Sequence, residues 1–405
     1  GKIKLAGNKN AILPAMAAAL LTSEKVILTN VPEIGDVLVM GELLAQIGCE
    51  VKGLGTSKIE ILAKDIKTIN LDPELVSKLR ASILLSGPLL IRSGKFKMRH
   101  PGGDIIGRRG VDTHLEALES LGAAITRGNE VYEGRADELQ SGKIFLTEAS
   151  VTATENTLMT AILTKGATII KNAASEPHVQ ELCKMLTKMG AKITGIGSNL
   201  LIVEGVEKLA GTEFEVGPDY IEAGTLAIAA AVTGGELEIQ GVNFDDMEMI
   251  LIYFSKMGMN FAAIDSSLIV KPSKLKAAFK IDSGLYPGFP TDLMSAMIVL
   301  ATQADGVTLL HDWLYESRMF FVDKLISMGA NVTICDPHRV LVSGPTKLRG
   351  QELDTPDIRS GIALVIAALA ADGKSLINRV QLIDRGYEKI DERLAKLGAK
   401  IKRIS

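Results

Sequence analysis

One phrase returns six times along this chain: an aliphatic or methionine residue, a glycine, then a small or apolar residue. The copies are Ile47-Gly48-Cys49, Leu121-Gly122-Ala123, Met189-Gly190-Ala191, Met257-Gly258-Met259, Met328-Gly329-Ala330 and Leu397-Gly398-Ala399. Their period of roughly 70 residues marks a repeat of supersecondary units. Each phrase closes an amphipathic segment, such as Leu115-Glu116-Ala117-Leu118-Glu119-Ser120-Leu121, and opens a strand-like run. Glycine takes the left-handed conformation that ends a helix, so each copy predicts helix, cap, strand. Between the copies lie Ala-rich apolar segments, at 11–21, 82–91, 154–163, 223–232, 293–301 and 361–371. These lack a charged face and are expected to be buried nearly all round, whereas the helices before each glycine carry Lys and Glu and are expected at the surface.

The predicted class is therefore α/β, in six βαβαββ-like repeats with helices inside and sheets outside. A chain of 405 residues exceeds the size at which one core keeps growing, so two domains of three repeats are expected. The boundary falls near Val216 to Pro218. Residues 8–217 form the first domain, and 218–405, joined by the N-terminal strand 1–7, form the second. Gly1 rather than Met opens the sequence, directly in a strand-like run. Residues ahead of it, including one short strand, are expected to be missing.

The net charge of -3 and the lack of a basic cluster leave no electrostatic footprint for nucleic acid. No apolar run approaches the roughly 20 residues of a membrane span, and no secretory leader opens the chain, so a soluble cytoplasmic protein is expected. Cys49, Cys183 and Cys335 are far apart with no Cys-x-x-Cys, which favours structural thiols. His100, His114, His178, His311 and His338 show no ligand spacing, so no metal is expected. No cofactor is implied.

Polar residues cluster just before each Ala-rich segment: Lys9-Asn10, Arg80, Ser150 to Glu155, Asp219 with Glu222, Thr291-Asp292, and Asp357 with Arg359. Six helix starts converging on one cleft would favour an anionic ligand. Ordinary N-capping accounts for Ser150 and suits Asp357, but it does not account for Lys9, Arg80 or Arg359. A cation at a helix start opposes the macrodipole, and a bound anion would offset that cost. The second constellation is the glycine-rich loop 99–110, with Asp104 among Arg99, Arg108 and Arg109. It reads either as a surface turn or as a mobile catalytic lid that brings a carboxyl and cations onto a phosphate.

Gly7-Asn8-Lys9-Asn10-Ala11, Arg80-Ala81-Ser82, Pro101-Gly102-Gly103, Glu176-Pro177, Pro290-Thr291-Asp292 and Asp384-Arg385-Gly386-Tyr387-Glu388 occur in order from the first repeat to the sixth. Together they resemble the UDP-N-acetylglucosamine enolpyruvyl transferase family from end to end. The resemblance implies two inside-out α/β barrel domains with the active site in the cleft between them. It also implies transfer of enolpyruvyl from phosphoenolpyruvate to the 3-hydroxyl of UDP-N-acetylglucosamine with release of phosphate, the first committed step of peptidoglycan synthesis. The Asn-Ala-Gly-Thr and early Lys-Ser motifs of the shikimate-pathway transferase are absent. A catalytically silent sugar-nucleotide-binding paralogue is the other alternative.

By the same resemblance, Lys9, Asn10, Arg109 and Arg385 hold phosphoenolpyruvate, and Lys9 and Arg385 also take part in catalysis. Arg80, Arg109, Gly110, Val111, Asp112, Thr113, Ala149, Ser150, Val151, Asp292 and Leu314 contact the sugar nucleotide. Glu176, Arg318, Asp357 and Arg359 support them. Asp292 matches the residue that holds the sugar hydroxyl and is the expected base; its alternative reading is an N-cap. Gly110, Glu148, Thr152 and Tyr220 stand where Pro, Lys, Gly and Arg are frequent, which affects fine uridine contacts. Asp104 occupies the loop position where most members carry the Cys attacked by fosfomycin, and it is the expected acid. A thiol holds its proton at neutral pH unaided, whereas a carboxyl does so only when desolvated or suitably paired.

Overall fold

In the computed structural model every residue is described except Ile105, Arg108 and Ser405. The chain divides into two compact units. The first comprises Gly7–Gly103 and Arg109–Gly217; the second comprises Gly1–Ala6, Asp104–Arg108 and Pro218–Ser405. Each has its own apolar core.

All six capping glycines adopt positive φ, from Gly258 at 73° to Gly48 at 121°. The preceding helices end there, and their last carbonyls are met by backbone N–H groups: Gly190 N donates to Thr187 O at 3.0 Å and Ala191 N to Leu186 O at 2.9 Å. Left-handed backbone is cheap only for glycine, which is why the phrase recurs with that residue. Five copies lead into strands, at Glu50–Lys52, Ala124–Arg127, Lys192–Thr194, Asn260–Ile264 and Asn331–Asp336. The sixth does not. Residues 400–404 stay irregular, and Arg403 ties them to Asp384 and Asp391 through its guanidinium.

Within the first unit the Ala-rich segments become Lys9–Ala18, Arg80–Leu85 continuing as Ser86–Ser93, and Val151–Ile162. In the second they become Tyr220–Val232, Met294–Thr302 and Ile358–Ala370. Met294–Thr302 is buried at every residue, which a helix sustains only without a charged face. Small residues set the packing distance. A Cβ at Gly87 would lie 2.3 Å from Thr160 Oγ1. There Gly87 N donates to Asn156 Oδ1 at 3.0 Å, and Asn156 Nδ2 donates to Ser86 Oγ at 2.9 Å. This buried amide is hydrogen-bonded through both its oxygen and its nitrogen, which offsets its desolvation as it crosslinks two inner helices.

The outer layer of each unit is three separate sheets. In the first unit they are Thr212–Glu215 with Lys25–Thr29, Lys58–Leu62 and Glu50–Lys52; Lys95–Arg99 with Val131–Arg135 and Ala124–Arg127; and Lys143–Phe145 with Ala167–Lys171, Leu200–Glu204 and Lys192–Thr194. A parallel pair plus an antiparallel hairpin recurs: Lys143 aligns with Ile169 in parallel, while Leu201 faces Ile170 antiparallel. The second unit repeats the device, and Lys2–Lys4 lies parallel to Leu237–Gln240 in its first sheet. No sheet closes on itself among the described residues, so each unit is an inside-out α/β body of discrete sheets around buried helices.

Candidate active site

The starts of the inner helices carry the expected polar residues, and the structure separates capping from the remaining chemistry. Asn8 caps Lys9–Ala18 by accepting from Asn10 N at 2.8 Å and Ala11 N at 3.3 Å. Ser150, Asp219 and Asp357 cap their helices in the same way. Lys9 is thus left for another task. Its Nζ lies 3.1 Å from Asp36 Oδ2, a buried carboxylate. The charge that opposes the helix dipole is balanced by a protein carboxylate here, so a bound anion is not the sole way to offset it.

Arg80 opens its segment, and its Nη2 donates to Gly110 O at 2.5 Å. That bond ties the helix start to the run Arg109, Gly110, Val111, Asp112 and Thr113. Val111 and Thr113 are buried, Asp112 begins the helix Asp112–Ser120, and Thr113 Oγ1 bonds Thr147 Oγ1 at 2.9 Å. Ala149, Ser150 and Val151 are half-buried at the start of Val151–Ile162. His114 is buried one residue beyond Thr113, with Nε2 3.0 Å from Thr152 Oγ1. Burial, assisted by the charge of Arg80, pushes its pKa down to about 3, so it is a neutral packing group. Glu176 precedes Pro177 at the start of Pro177–Lys188 and makes no side-chain cap. Nearby Glu155 is buried, and burial followed by the charge of Glu176 pushes its carboxyl well above the usual range.

The second unit holds the densest charge cluster. Asp292 sits in the one-turn segment Thr291–Leu293, which runs into the helix Met294–Thr302. Its Oδ1 accepts from Arg318 Nη2 at 3.2 Å. Its Oδ2 accepts from Arg359 Nε at 3.0 Å and lies 2.9 Å from Arg359 Nη2. Both arginines are almost fully buried. Burial opposes the charge of Arg318, yet the carboxylates of Asp292, Asp357 and Asp312 hold its pKa above the ordinary arginine value; for Arg359 burial is likewise outweighed, chiefly by Asp292 and Tyr387. One guanidinium edge on Oδ2 and a single N–H on Oδ1 fix the plane of the Asp292 carboxylate and favour its ionised form.

Asp312 was not among the expected residues. It is fully buried, accepts from Leu314 N at 3.1 Å and Tyr315 N at 3.3 Å, takes the Thr291 hydroxyl, and lies 3.9 Å from Arg318 Nε. It therefore shapes the turn that carries Leu314. An Asp two residues before a backbone donor is an Asx-turn signature, and Asp312-Trp313-Leu314 offered that signal.

Asp104 pairs with Arg385, Nη1 to Oδ1 at 2.7 Å, and both side chains are largely buried. Ser317 N donates to Ile106 O at 3.1 Å, and Ile106 is buried. The loop tip thus groups with the second unit, although Arg109 onward belongs to the first. Arg108, whose charge entered the expectation for Asp104, lies outside the described residues. Arg385 ends the turn Val380–Arg385. Two left-handed non-glycine residues, Arg379 and Lys389, bracket the segment that carries Arg385 and Tyr387.

Each unit is an inside-out α/β body whose charged groups stand at the starts of buried helices, an arrangement suited to an anionic substrate. The profile of EPSP synthase (3-phosphoshikimate 1-carboxyvinyltransferase) matches residues 1–394. Among solved structures, the enolpyruvyl transferase NikO from Streptomyces tendae superimposes with a TM-score of 0.89 at 21% identity, over 99% of this chain and 95% of that one. EPSP synthase from Acinetobacter baumannii gives 0.78 at 19% identity, over 99% and 96%. At such identities these likenesses speak to the fold alone. The UDP-N-acetylglucosamine 1-carboxyvinyltransferase of Treponema denticola is 50% identical, over 99% of this chain and 96% of its own length. The enzyme of the same name from Borreliella burgdorferi is 48% identical, over 100% and 96%. The chain belongs to the EPSP synthase family of enolpyruvyl transferases, on the branch of these UDP-N-acetylglucosamine enzymes.

Proposed function

We infer that the protein transfers the enolpyruvyl group of phosphoenolpyruvate to the 3-hydroxyl of UDP-N-acetylglucosamine, releasing phosphate and starting peptidoglycan synthesis. The observation that carries this is the near-half identity, over the full chain, to enzymes named for that reaction. Among the described residues no helix is long and apolar enough to cross a membrane, and the reading assigns the protein to the cytoplasm.

The reaction adds the sugar oxygen to C2 of phosphoenolpyruvate while a proton joins the C3 methylene. Loss of a C3 proton and of phosphate then restores the vinyl group. In the proposed division of labour, Lys9, Asn10, Arg109 and Arg385 hold the phosphate and carboxylate of phosphoenolpyruvate, the arginines by their bidentate forks. Arg80, residues 109–113, 149–151 and Leu314 hold the sugar nucleotide. Asp292 orients the attacking hydroxyl and takes its proton as the carbon–oxygen bond forms. Its two arginines favour the carboxylate at rest, so orientation is the larger part of its work. Asp104 delivers the proton to C3. Arg385 engages Asp104 in this structure; an incoming phosphate competes for the same guanidinium, and the freed carboxylate takes up a proton from solvent before it gives one to C3.

Phosphate release is the decisive measurement. It is expected with phosphoenolpyruvate and UDP-N-acetylglucosamine together and not with 3-phosphoshikimate as the acceptor. Release only with 3-phosphoshikimate would assign the shikimate-pathway reaction. Tight nucleotide binding with no release would assign a silent paralogue.

A further inference from the structure

The Arg359 guanidinium is held on two edges. Nε and Nη2 face Asp292, and Nη1 donates to the Tyr387 hydroxyl at 3.0 Å. Tyr387 Oη lies 3.0 Å from Thr225 Oγ1, and Thr225 Oγ1 donates to the Ile221 carbonyl at 2.7 Å. A hydroxyl has one proton. Thr225 gives its proton to Ile221, so it can only accept from Tyr387. Tyr387 gives its proton to Thr225, so its lone pairs face Arg359. The protons run one way, from Arg359 through Tyr387 and Thr225 to the backbone of Tyr220–Val232. Tyr387 and Thr225 are each 2% exposed and Arg359 4%, so water does not substitute for any member. Burial pushes the Tyr387 phenol up despite the countering charge of Arg359, which keeps its proton in place.

From this geometry we propose that Tyr387, backed by Thr225, is a positioning residue for the transfer reaction: it sets the plane of Arg359 and thereby the carboxylate of Asp292 that meets the sugar hydroxyl. The inference rests on the function proposed above. Without its acceptor on Nη1, a buried guanidinium turns to find another, and its fork on Asp292 turns with it. Of the residues assigned to the nucleotide, only Asp292 lies on this chain of bonds, and it meets the reacting hydroxyl; Leu314 and the residues of the first unit lie off it. The effect therefore falls on turnover rather than on nucleotide affinity.

The test is steady-state phosphate release with both substrates varied, on wild type and on Tyr387→Phe, Thr225→Val and Thr225→Ser, with thermal unfolding recorded for each. Tyr387→Phe is expected to lower kcat about tenfold or more, with the KM for UDP-N-acetylglucosamine within about twofold of wild type. Thr225→Val is expected to lower kcat by a smaller factor, and Thr225→Ser, which keeps the hydroxyl, to restore it. Wild-type kcat in Tyr387→Phe overturns the inference, as does a loss confined to KM or one matched by the unfolded fraction. If Tyr387→Phe does not fold, equal kcat in the Val and Ser variants overturns it. Absence of phosphate release by wild type is a different failure and strikes the proposed reaction itself.

Discussion

At the residue scale, pairing decides what each charged group can do. Asp292 is bonded on both oxygens by buried arginines, and an amide would keep one acceptor but lose the charge and the base. Asp292→Asn is expected to lower kcat by on the order of a hundredfold or more, with the KM for UDP-N-acetylglucosamine little changed; undiminished turnover would move the base elsewhere. By the family resemblance, Asp104 stands where most members carry the thiol that opens fosfomycin, and a carboxylate is a poorer nucleophile toward an epoxide. The remaining thiols do not substitute. Cys49 and Cys183 are buried, and burial pushes both up to about 12, while Cys335 is exposed on the strand Asn331–Asp336, outside the loop 99–110. Incubation with fosfomycin and UDP-N-acetylglucosamine is expected to leave the intact mass of wild type unchanged and to add one adduct to Asp104→Cys. An adduct on wild type at the variant's stoichiometry would defeat the assignment. Asp104→Asn is expected to lose turnover if the carboxyl is the acid, and full activity there would leave it a loop-positioning role.

At the element scale, the six glycine caps differ in what surrounds them. Gly190 has φ 108° and open space about its missing Cβ, whereas a Cβ at Gly48 would lie 2.9 Å from the Asp65 carbonyl. Gly190→Ala should cost about 1–2 kcal/mol from the left-handed backbone alone. Gly48→Ala should cost more, and denaturant unfolding of the two variants checks the order. His114 supplies a pH effect between helices Asp112–Ser120 and Val151–Ile162. Its pKa falls from an ordinary 6.5 to about 3 on folding, so between those values the unfolded chain binds the extra proton. Stability from this group is complete above pH 6.5 and declines as pH falls toward 3, by about 2 kcal/mol at pH 5. His114→Gln should flatten that part of the stability profile in denaturant titrations at pH 7 and pH 5. An unchanged slope would show that His114 does not contribute.

At the scale of the whole molecule, the groups assigned to phosphoenolpyruvate come from both units, Lys9 from the first and Arg385 from the second. If one substrate molecule uses both, Lys9→Gln and Arg385→Gln should each raise the KM for phosphoenolpyruvate or lower kcat by on the order of tenfold or more. The KM for UDP-N-acetylglucosamine should move little in either. An effect from only one of the two would assign phosphoenolpyruvate to a single unit. If both effects are seen, a demand for two sets of helix starts would give a physical reason for six repeats where three suffice to bury a core.

The repeat, the buried helices and the capping glycines were legible in the sequence because each depends on local pattern. An uncharged helix must go inside, and a glycine at a helix end takes the conformation other residues avoid. The residue types of the candidate site were legible too, since motifs such as Asp384-Arg385-Gly386-Tyr387 are contiguous. Their pairings were not. Asp292 meets Arg359 across 67 positions and Asp104 meets Arg385 across 281, and nothing local selects those partners. Lys9 looked like a cation awaiting an anion until folding set Asp36 beside it. The sixth copy of the phrase promised a strand that the tether from Arg403 replaces. Tertiary structure alone decided which carboxylates neutralise cations and that the Tyr387 hydroxyl stands behind Arg359. Those outcomes depend on distances between segments that only the packed core brings together.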